Sequence, residues 1–237
     1  MKLAVFGRGS MGRVVVECAR AAGHEIGRIF DSRDAHRDEN AMATLLRGHD
    51  VAIDFSTGDA VPAHTAACVR AGLPLVEGAT GWQHREAEVR GAVTASGGGA
   101  ALVYGPNFSI GANLFYRLVT EAAVLFQAFP EYEPFIEEAH HARKRDQPSG
   151  TALRLRDILT HGSDRPISVA STRAGHIPGT HRVGFDSPAD QITLEHTARS
   201  REGFAAGALL AAAWIRGRRG VFTFDDVVSD LLASARR

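Results

Sequence analysis

The chain has 237 residues, a length that allows one large domain or two smaller ones with a well-filled core. Apolar residues make up 44% of the sequence, charged residues make up 23%, and the formal net charge is zero. This balance is typical of a folded globular protein. It gives no electrostatic reason to expect binding to nucleic acid or to a membrane surface.

The sequence also argues against membrane insertion and secretion. No apolar run approaches the length of a membrane span, and a strand pattern begins directly after Met1, so we expect no signal peptide. Two cysteines, Cys18 and Cys68, fall within helical apolar patterns. They predict buried thiols in a reducing, cytoplasmic compartment, with neither a disulfide nor a cysteine metal site.

The first elements have the pattern of a dinucleotide-binding domain. A strand is predicted over 2–6, a helix over 13–22 and a second strand over 25–30, which is followed by Asp31. The loop after the first strand, Gly7-Arg8-Gly9-Ser10-Met11-Gly12, has the spacing G-x-G-x-x-G. Such glycines let the backbone approach a pyrophosphate at a helix N-terminus, and an acid at the second strand accepts hydrogen bonds from a ribose. The candidate cofactor residues here are Gly7, Gly9, Ser10, Met11, Gly12 and Asp31.

Further strand-and-helix units follow, which favours a parallel, Rossmann-type sheet. Strands are predicted over 50–55, 73–76 and 100–104, with helices over 59–71 and 84–95. The loops after the carboxyl ends of parallel strands line the ligand crevice of such a sheet. Small and polar residues at these strand ends are therefore candidates for the nicotinamide side of a cofactor, although an ordinary turn explains any single one equally well. These candidates are Ser56, Gly78, Thr80 and Asn107.

The second half of the chain predicts a smaller α+β domain with a mixed sheet. Helices are predicted over 110–128 and 199–214, and strands over 167–173, 183–185 and 191–197. Gly105-Pro106-Asn107 has the composition of a domain boundary. We therefore predict a dinucleotide-binding domain made of 1–106 and 206–237, to which the last helices return. Residues 107–205 would form a domain for substrate binding and oligomerisation.

The most polar stretch runs from Glu137 to Ala152 with the sequence E-E-A-H-H-A-R-K-R-D-Q-P-S-G-T-A. A strand-like segment, 134–136, precedes it and a helical pattern follows Gly150, so we expect the stretch on a strand-to-helix connection. It contains Lys144, one of only two lysines in a chain that otherwise uses arginine. An ammonium is a compact donor, whereas a guanidinium is a planar fork that stays charged. Lys144 therefore indicates chemistry, and the alternative is a solvated basic turn.

These motifs together resemble the dihydrodipicolinate reductase family. The run E-A-H-H-x-x-K-x-D-x-P-S-G-T-A is the most specific part of the resemblance. The glycine loop, the run G-P-N-F-S-x-G, the run R-A-G-H-I-P-G-T-H and a closing A-A-x-W-I helix extend it over essentially the whole chain. The resemblance implies NAD(P)H-dependent reduction of 4-hydroxy-tetrahydrodipicolinate to tetrahydrodipicolinate in diaminopimelate and lysine biosynthesis. It also implies a homotetramer built through the sheet of the C-terminal domain.

The resemblance also implies roles for individual residues. It places the cofactor on the glycine loop, on Asp31 and on two strand-end loops, which consist of Gly78, Ala79 and Thr80 and of Gly105, Pro106, Asn107 and Phe108. His140 takes the place of the catalytic proton donor, Lys144 that of the catalytic lysine, and His141 that of a substrate contact. Physical chemistry agrees, because a helix N-terminus favours a carboxylate, an ammonium adds a point charge and a histidine donates a proton near neutral pH. No metal is expected. The candidate catalytic residues are His140 and Lys144, and the candidate substrate residues are His141, Ser149, Gly150 and Thr151.

The sequence departs from the family pattern at three places. The chain is short for the family at 33–40 and 186–190, and Gly78-Ala79-Thr80 replaces the usual G-T-T. Asp31-Ser32-Arg33 stands where the family has a Glu-Arg pair. A carboxylate accepts a hydrogen bond from a 2′-hydroxyl and repels a 2′-phosphate, so Asp31 favours NADH, while Arg33 favours some use of NADPH.

Three other classes of protein fit parts of the sequence. A two-domain dehydrogenase acting on a different carboxylated imine would share most of these features. A non-catalytic dinucleotide sensor would need neither His140 nor Lys144. A purely structural assembly domain fits the predicted C-terminal sheet but not the glycine loop.

Overall fold

The computed structural model describes residues 1–34, 37–161 and 166–235, which form two compact units. Unit 1 comprises Met1–Ile110 and Arg201–Arg237, and unit 2 comprises Gly111–Ser200. The binding roles assigned to the two predicted domains stay predictions. Positions 35 and 36 of the segment expected to be short, and 236 and 237 of the first predicted domain, lie outside the described residues.

The two units contain ten strands and eight helices among the described residues. The strands are β1 (Lys2–Phe6), β2 (Glu25–Phe30), β3 (Val51–Asp54), β4 (Leu75–Glu77), β5 (Ala101–Tyr104), β6 (Glu133–His140), β7 (Ser168–Arg173), β8 (Thr180–Asp186), β9 (Gln191–Thr197) and β10 (Gly220–Thr223). The helices are α1 (Ser10–Ala21), α2 (Glu39–Leu46), α3 (Val61–Ala71), α4 (Glu86–Ala95), α5 (Ile110–Phe126), α6 (Gly150–Thr160), α7 (Glu202–Ile215) and α8 (Phe224–Ala235). None of these helices combines the length and apolarity that a membrane span needs.

Unit 1 is built on a parallel sheet of six strands in the order β2-β1-β3-β4-β5-β10, which confirms the predicted Rossmann-type sheet. Its strands are almost continuously apolar because helices cover both faces. Leu3 and Ile53 belong to the core on the side of α1, α7 and α8. Ala4 and Phe6 belong to the core on the side of α2, α3 and α4. The strand order reverses at β1, which places a topological switch point at the carboxyl end of that strand.

Unit 2 is a mixed sheet of four strands in the order β7-β6-β8-β9, as predicted for the C-terminal domain. β6 pairs in parallel with β7 and antiparallel with β8, and β8 pairs antiparallel with β9. Ile136 and Val183 of the sheet form one core with Phe115 and Val119 of α5 and Leu155 of α6. Two helices therefore support the sheet that carries the Glu137–Ala152 stretch.

Some predicted elements were wrong in extent, and others were missed. The strand predicted over 134–136 is longer, because β6 continues to His140 and part of the polar stretch lies in the strand itself. Glu138 and His140 are buried in it, so the alternation of buried and exposed residues continues where the apolar pattern stops. α2 and β10 were not predicted, and α8 was anticipated only as one of the last helices, without bounds. β10 is short and depends on in-register pairing with the distant β5, which the local sequence does not reveal.

The expectation of two buried thiols holds for only one cysteine. Cys68 of α3 is buried, and burial raises the pKa of its thiol well above its ordinary value. Cys18 of α1 is only partly buried, so that prediction was wrong. Both are free cysteines.

Candidate active site

The glycine loop of unit 1 is shaped by close backbone contacts. Gly7 has a φ of +98°, and a Cβ atom there would come within 2.7 Å of the Phe55 carbonyl oxygen. A Cβ atom at Gly12 would collide with the Gly7 carbonyl oxygen. α1 begins directly after Gly9, which has no side chain to cap the helix. The first N–H groups of α1 thus suit an anion, and a cavity of about 290 Å³ lies beside the loop.

Asp31 lies at the end of β2, between two arginines. Arg33 donates from Nη2 to Oδ2 at 2.7 Å and from Nε to Oδ1 at 3.0 Å, and Arg8 Nη1 lies 3.7 Å from Oδ2. The hydrogen bonds from the Arg33 side chain and backbone hold the pKa of the Asp31 carboxyl well below its usual range. The side chains of Arg8 and Arg33 are 58% and 78% exposed, so both guanidinium groups can reach a ligand.

The other candidate cofactor residues lie at the ends of β4 and β5. The backbone of Gly78 donates to the Asp54 carbonyl oxygen at 2.8 Å. Asn107 Oδ1 accepts from the Ser109 backbone at 2.8 Å, which closes a tight turn after β5. The Phe108 side chain belongs to the core of unit 1. The remaining candidates here, Ala79, Thr80, Gly105 and Pro106, lie in the same two loops.

The polar centre of unit 2 is Glu138, whose side chain is 0% exposed. Its Oε1 atom accepts hydrogen bonds from Arg173 Nη2 at 2.7 Å, from Ser171 Oγ at 2.7 Å and from the Ser149 backbone at 3.0 Å. Burial alone would raise the pKa of this carboxyl, but the hydrogen bonds from Ser149, Arg173 and Ser171 lower it to about 2. Glu138 is therefore an ionised carboxylate inside the protein.

Two histidines lie against the other oxygen of this carboxylate. His140 Nδ1 is 3.0 Å from Glu138 Oε2, and His181 Nε2 is 3.7 Å from the same oxygen. His181 Nε2 is also 3.0 Å from Ser149 Oγ. We call Glu138, His140, Ser149, Ser171, Arg173 and His181 the Glu138 network.

Both histidines of the network are neutral at neutral pH in this arrangement. Burial lowers the pKa of His140 below its ordinary value; Glu138 acts in the opposite direction, and the charges of Lys144 and Arg173 lower it further. Burial, followed by the effect of His140, lowers the pKa of His181 to about 4.

Lys144 lies on the turn that follows β6. Its Nζ atom is 2.8 Å from Asp146 Oδ1, and its backbone donates to the His141 carbonyl oxygen at 3.0 Å. Arg173 Nη2 also donates to the Asp146 carbonyl oxygen at 2.6 Å, which ties the turn to the Glu138 network. The Lys144 side chain is partly exposed, so its ammonium remains accessible at the edge of the network.

The candidate substrate residues stand at the start of α6. Ser149 is the N-cap of this helix, and its Oγ atom accepts from the Ala152 backbone at 3.2 Å. Its side chain is buried and engaged within the Glu138 network. Gly150 and Thr151 form the first turn, where backbone N–H groups favour an anion. Direct contact of Ser149, Gly150, Thr151 or His141 with a substrate stays a prediction.

Four members of the network were not predicted as site residues: Glu138, Ser171, Arg173 and His181. Glu138 is the register partner of Ser171 on β7 and of His181 on β8, while His140 is the register partner of Arg173. Arg173 and His181 are the first and last residues of the R-A-G-H-I-P-G-T-H run. That run could have been recognised as part of the site only if its pairing with β6 had been known.

The network also contains three atoms that could bind a cation. One donor atom from each of Glu138, His140 and His181 lies within 4.8 Å of the others. The guanidinium of Arg173, 2.7 Å from the same carboxylate, opposes a metal ion electrostatically. The expectation that the site uses no metal stays a prediction.

Comparisons with known proteins agree with the two-part organisation. A family model described as dihydrodipicolinate reductase, N-terminus, matches residues 1–108, and one described as dihydrodipicolinate reductase, C-terminus, matches residues 111–228. The chain is 36% identical to the 4-hydroxy-tetrahydrodipicolinate reductase of Christiangramia forsetii, over 98% of this chain and 99% of that one. It is 33% identical to the protein of the same name from Archaeoglobus fulgidus, over 95% of this chain and 99% of that one.

The fold has a counterpart among solved structures. A dipicolinate-bound dihydrodipicolinate reductase from Paenisporosarcina sp. TG-14 superposes with a TM-score of 0.77 at 22% identity, covering 94% of this chain and 97% of that one. This likeness concerns the fold. The family models span nearly all of the chain, and the relatives match it over nearly its full length. The chain therefore belongs to the dihydrodipicolinate reductase family.

Proposed function

We propose that the chain catalyses NAD(P)H-dependent reduction of 4-hydroxy-tetrahydrodipicolinate (dihydrodipicolinate) to tetrahydrodipicolinate, as an oxidoreductase of diaminopimelate and lysine biosynthesis. The observation that carries the proposal is the Glu138 network. It joins the predicted proton donor His140 to an ionised carboxylate and to the N-cap of α6. A non-catalytic sensor or an assembly domain would have no use for this arrangement.

Unit 1 supports binding of the cofactor. The N–H groups at the start of α1 and the close-packed Gly7 and Gly12 suit a pyrophosphate, and Asp31 suits a ribose. The loops after β4 and β5 would hold the nicotinamide end. When bound, NAD(P)H supplies the hydride.

Both NADH and NADPH are proposed to act as hydride donors, and NADH is proposed to be the preferred one. Asp31 is ionised and accepts hydrogen bonds, which suits the 2′-hydroxyl of NADH. Arg33 and Arg8 neutralise much of the charge that would repel the 2′-phosphate of NADPH. A preference of a hundredfold for NADPH would contradict the proposed order.

Unit 2 supports binding of the dicarboxylate. The first turn of α6, with Gly150 and Thr151, offers backbone donors to one carboxylate. Lys144 supplies a compact positive charge at the edge of the network, and His141 lies on the same turn. These groups would orient the substrate so that its ring lies against His140.

His140 is proposed to donate the proton that accompanies reduction. It is neutral in the free protein, and the negative charge of a bound dicarboxylate would raise its pKa and favour its protonated form. Glu138 stays ionised and lies 3.0 Å from His140 Nδ1, so its negative charge stabilises the imidazolium. The other ring nitrogen of His140, Nε2, is then the one that donates the proton to the substrate. Arg173 holds Glu138 in place and keeps it from taking up the proton itself.

A homotetramer built through unit 2 and a cytoplasmic location belong to the same proposal. Exposed apolar side chains on α5 and β9 are consistent with assembly; they include Leu114, Leu118, Leu125 and Ile192. Light scattering of the purified protein at several concentrations would measure the assembly. A monomer at all concentrations would contradict the tetramer.

The activity is tested with substrate that is synthesised in the assay mixture, because the substrate is unstable. Pyruvate and aspartate semialdehyde are condensed by the aldolase, and oxidation of NADH or NADPH is followed after addition of the protein. We expect oxidation that depends on the aldolase product and is lost in His140→Gln, with the affinity for NADH retained. Oxidation with a different carboxylated imine but not with this product would favour another dehydrogenase, and binding of NADH without any turnover would favour a sensor.

A further inference from the structure

A separate pair of buried acids lies in unit 1. Asp54 is the last residue of β3 and Glu77 is the last residue of β4, and the two are direct partners in the parallel pairing. Both have 0% exposure. Register partners on neighbouring strands project to the same face of a sheet, so the two carboxyl groups are neighbours in the interior. None of the steps described for His140 or Lys144 uses them.

The contacts of the pair require a proton. Asp54 accepts from the Ser56 backbone at 2.7 Å and lies 2.6 Å from His64 Nδ1. Glu77 Oε1 accepts from the Ala79 backbone at 2.6 Å, whereas Oε2 is buried without a hydrogen-bond partner among the described residues. Burial raises the pKa of Glu77 well above its usual value, and the Asp54 carboxylate raises it further. Two adjoining buried carboxyls cannot both be ionised at little cost, so the pair holds one proton.

Three other ionisable groups face the pair. His64 of α3 contacts Asp54 directly, and its ring stacks on Phe6 with centroids 4.1 Å apart. Cys68 of α3 is a neutral thiol, because burial raises its pKa and the two acids raise it further. Tyr104 is the register partner of Glu77 on β5, and its hydroxyl donates to Glu86 at 2.7 Å.

The two acids anchor the loops that follow their strands. Asp54 fixes the loop at Ser56, and Glu77 fixes the loop at Ala79. These loops touch, because a Cβ atom at Gly58 would lie 2.7 Å from the Thr80 carbonyl oxygen. The second loop holds Gly78, Ala79 and Thr80, all of which are candidate cofactor residues. A change in the pair would therefore move cofactor-binding backbone directly.

We propose that Asp54 and Glu77 are positioning residues that share one proton and thereby hold the loops after β3 and β4 together for binding of the nicotinamide cofactor. This inference rests on the proposed function. The proton on Glu77 converts an unpaired acceptor into a donor toward Asp54. Its loss places two negative charges side by side, drives the strand ends apart and weakens cofactor binding.

The test compares Glu77→Gln with Glu77→Ala in the full chain. Glutamine keeps the acceptor for Ala79 and supplies a permanent donor, whereas alanine removes both. We expect the affinity for NADH, measured by fluorescence, to fall with rising pH in the parent and to stay level in Glu77→Gln. Glu77→Ala should bind NADH about tenfold more weakly at every pH, the size expected for a lost buried hydrogen bond. A merely structural glutamate would give parent and Glu77→Gln the same pH profile.

Thermal stability provides a second measurement that needs no cofactor. The raised pKa of Glu77 stabilises the folded state below the unfolded pKa of about 4.3, and that contribution is lost as pH rises through the folded pKa. The Tm of the parent should therefore fall relative to that of Glu77→Gln by about 3 °C for each pH unit in this window.

The outcomes separate the two proposals. Parallel curves of Tm against pH for the parent and Glu77→Gln would overturn the shared proton. Curves that diverge as described, together with equal pH profiles of NADH affinity, would overturn the positioning role. Failure of the parent to bind either NADH or NADPH would overturn both the proposed function and the positioning role, while the Tm measurement would still decide on the proton.

Discussion

Both units bury a glutamate, yet the surroundings shift the pKa of the two carboxyl groups in opposite directions. In unit 2 the Glu138 carboxylate accepts hydrogen bonds from Arg173, Ser171 and Ser149, which lower its pKa to about 2 against the effect of burial. In unit 1 Glu77 accepts from the Ala79 backbone, and burial together with Asp54 raises its pKa. Burial is nearly complete in both, so the donors and the neighbouring charge decide the ionisation.

The difference suits the two roles that we propose. A carboxylate that stays ionised can stabilise an imidazolium, so Glu138 suits proton transfer by His140. A carboxyl that stays protonated can donate to its neighbour, so Glu77 suits the joining of two loops. Substitutions that remove one charge, or one donor, test whether this contrast is real.

The largest effect is expected from removal of the charge in unit 2. Glu138→Gln keeps the shape of the side chain but cannot stabilise a charged His140, so we expect turnover to fall about 10⁴-fold, as for other lost acids that orient a histidine. The affinity for NADH should be retained, because Glu138 belongs to unit 2. Steady-state turnover and NADH binding measure the two quantities.

The neighbouring Glu137 provides a matched control. It is exposed and pairs with Arg182 at 3.0 Å. Glu137→Gln should keep the parent turnover, since exposed ion pairs contribute little. Equal turnover of Glu138→Gln and the parent would remove Glu138 from the mechanism and leave it a structural residue.

The next largest loss of turnover is expected from substitution of Lys144, whose ammonium lies at the edge of the Glu138 network. We expect Lys144→Arg to lose about 10²–10⁴-fold in turnover although the charge is kept, because the guanidinium fork is bulkier and remains charged at useful pH. NADH affinity should be nearly unchanged. The control is Lys2→Arg, the chain's other lysine, whose side chain is 43% exposed and lies 3.2 Å from Glu25. Loss of a catalytic donor costs about 10²–10⁴-fold in rate. If Lys144→Arg instead keeps more than about half of the parent turnover, Lys144 is only a residue of a solvated basic turn.

The sequence revealed the parts of the site that follow local patterns. Gly7 and Gly12 open a helix after a buried strand, and His140 and Lys144 lie in one specific run. The parallel sheet of unit 1 was predictable for the same reason, because strands covered on both faces are continuously apolar.

The rest depended on contacts between distant residues. Arg173 and His181 reach Glu138 only because β7 and β8 flank β6 in a particular register. The sequence does not fix that register, since pairing is non-local. Asp54 and Glu77 likewise lie near the ends of two separate predicted strands, and their adjacency follows from the order of the sheet. Strand β10 was not predicted for the same reason, because it forms by pairing with the distant strand β5.

A third prediction uses the opposite pKa shifts to compare the acids through stability. The lowered pKa of Glu138 stabilises the folded state above the unfolded pKa of about 4.3, and this contribution is lost as pH falls toward about 2. The loss amounts to about 3 kcal/mol, whereas the contribution of Glu77 is lost with rising pH. Urea unfolding of the parent and of Glu138→Gln across acidic pH measures it. Equal slopes for the two proteins would show that folding does not lower the pKa of Glu138.

The smallest effect is expected from a substitution next to Asp31. Hydrogen bonds from Arg33 lower the pKa of the Asp31 carboxyl and keep it ionised. Arg33 binds it in a two-point hydrogen-bonded pair and is largely exposed, so it can turn to a 2′-phosphate. We expect Arg33→Ala to raise KM for NADPH about tenfold, the size of one charged hydrogen bond. KM for NADH should stay near that of the parent, because Asp31 keeps its acceptors for the ribose. Arg37→Ala, which removes a partner of Asp34 instead, is the control. An equal rise in KM for both cofactors would mean that Arg33 only orders the loop, and that the charge of Asp31 alone sets the preference.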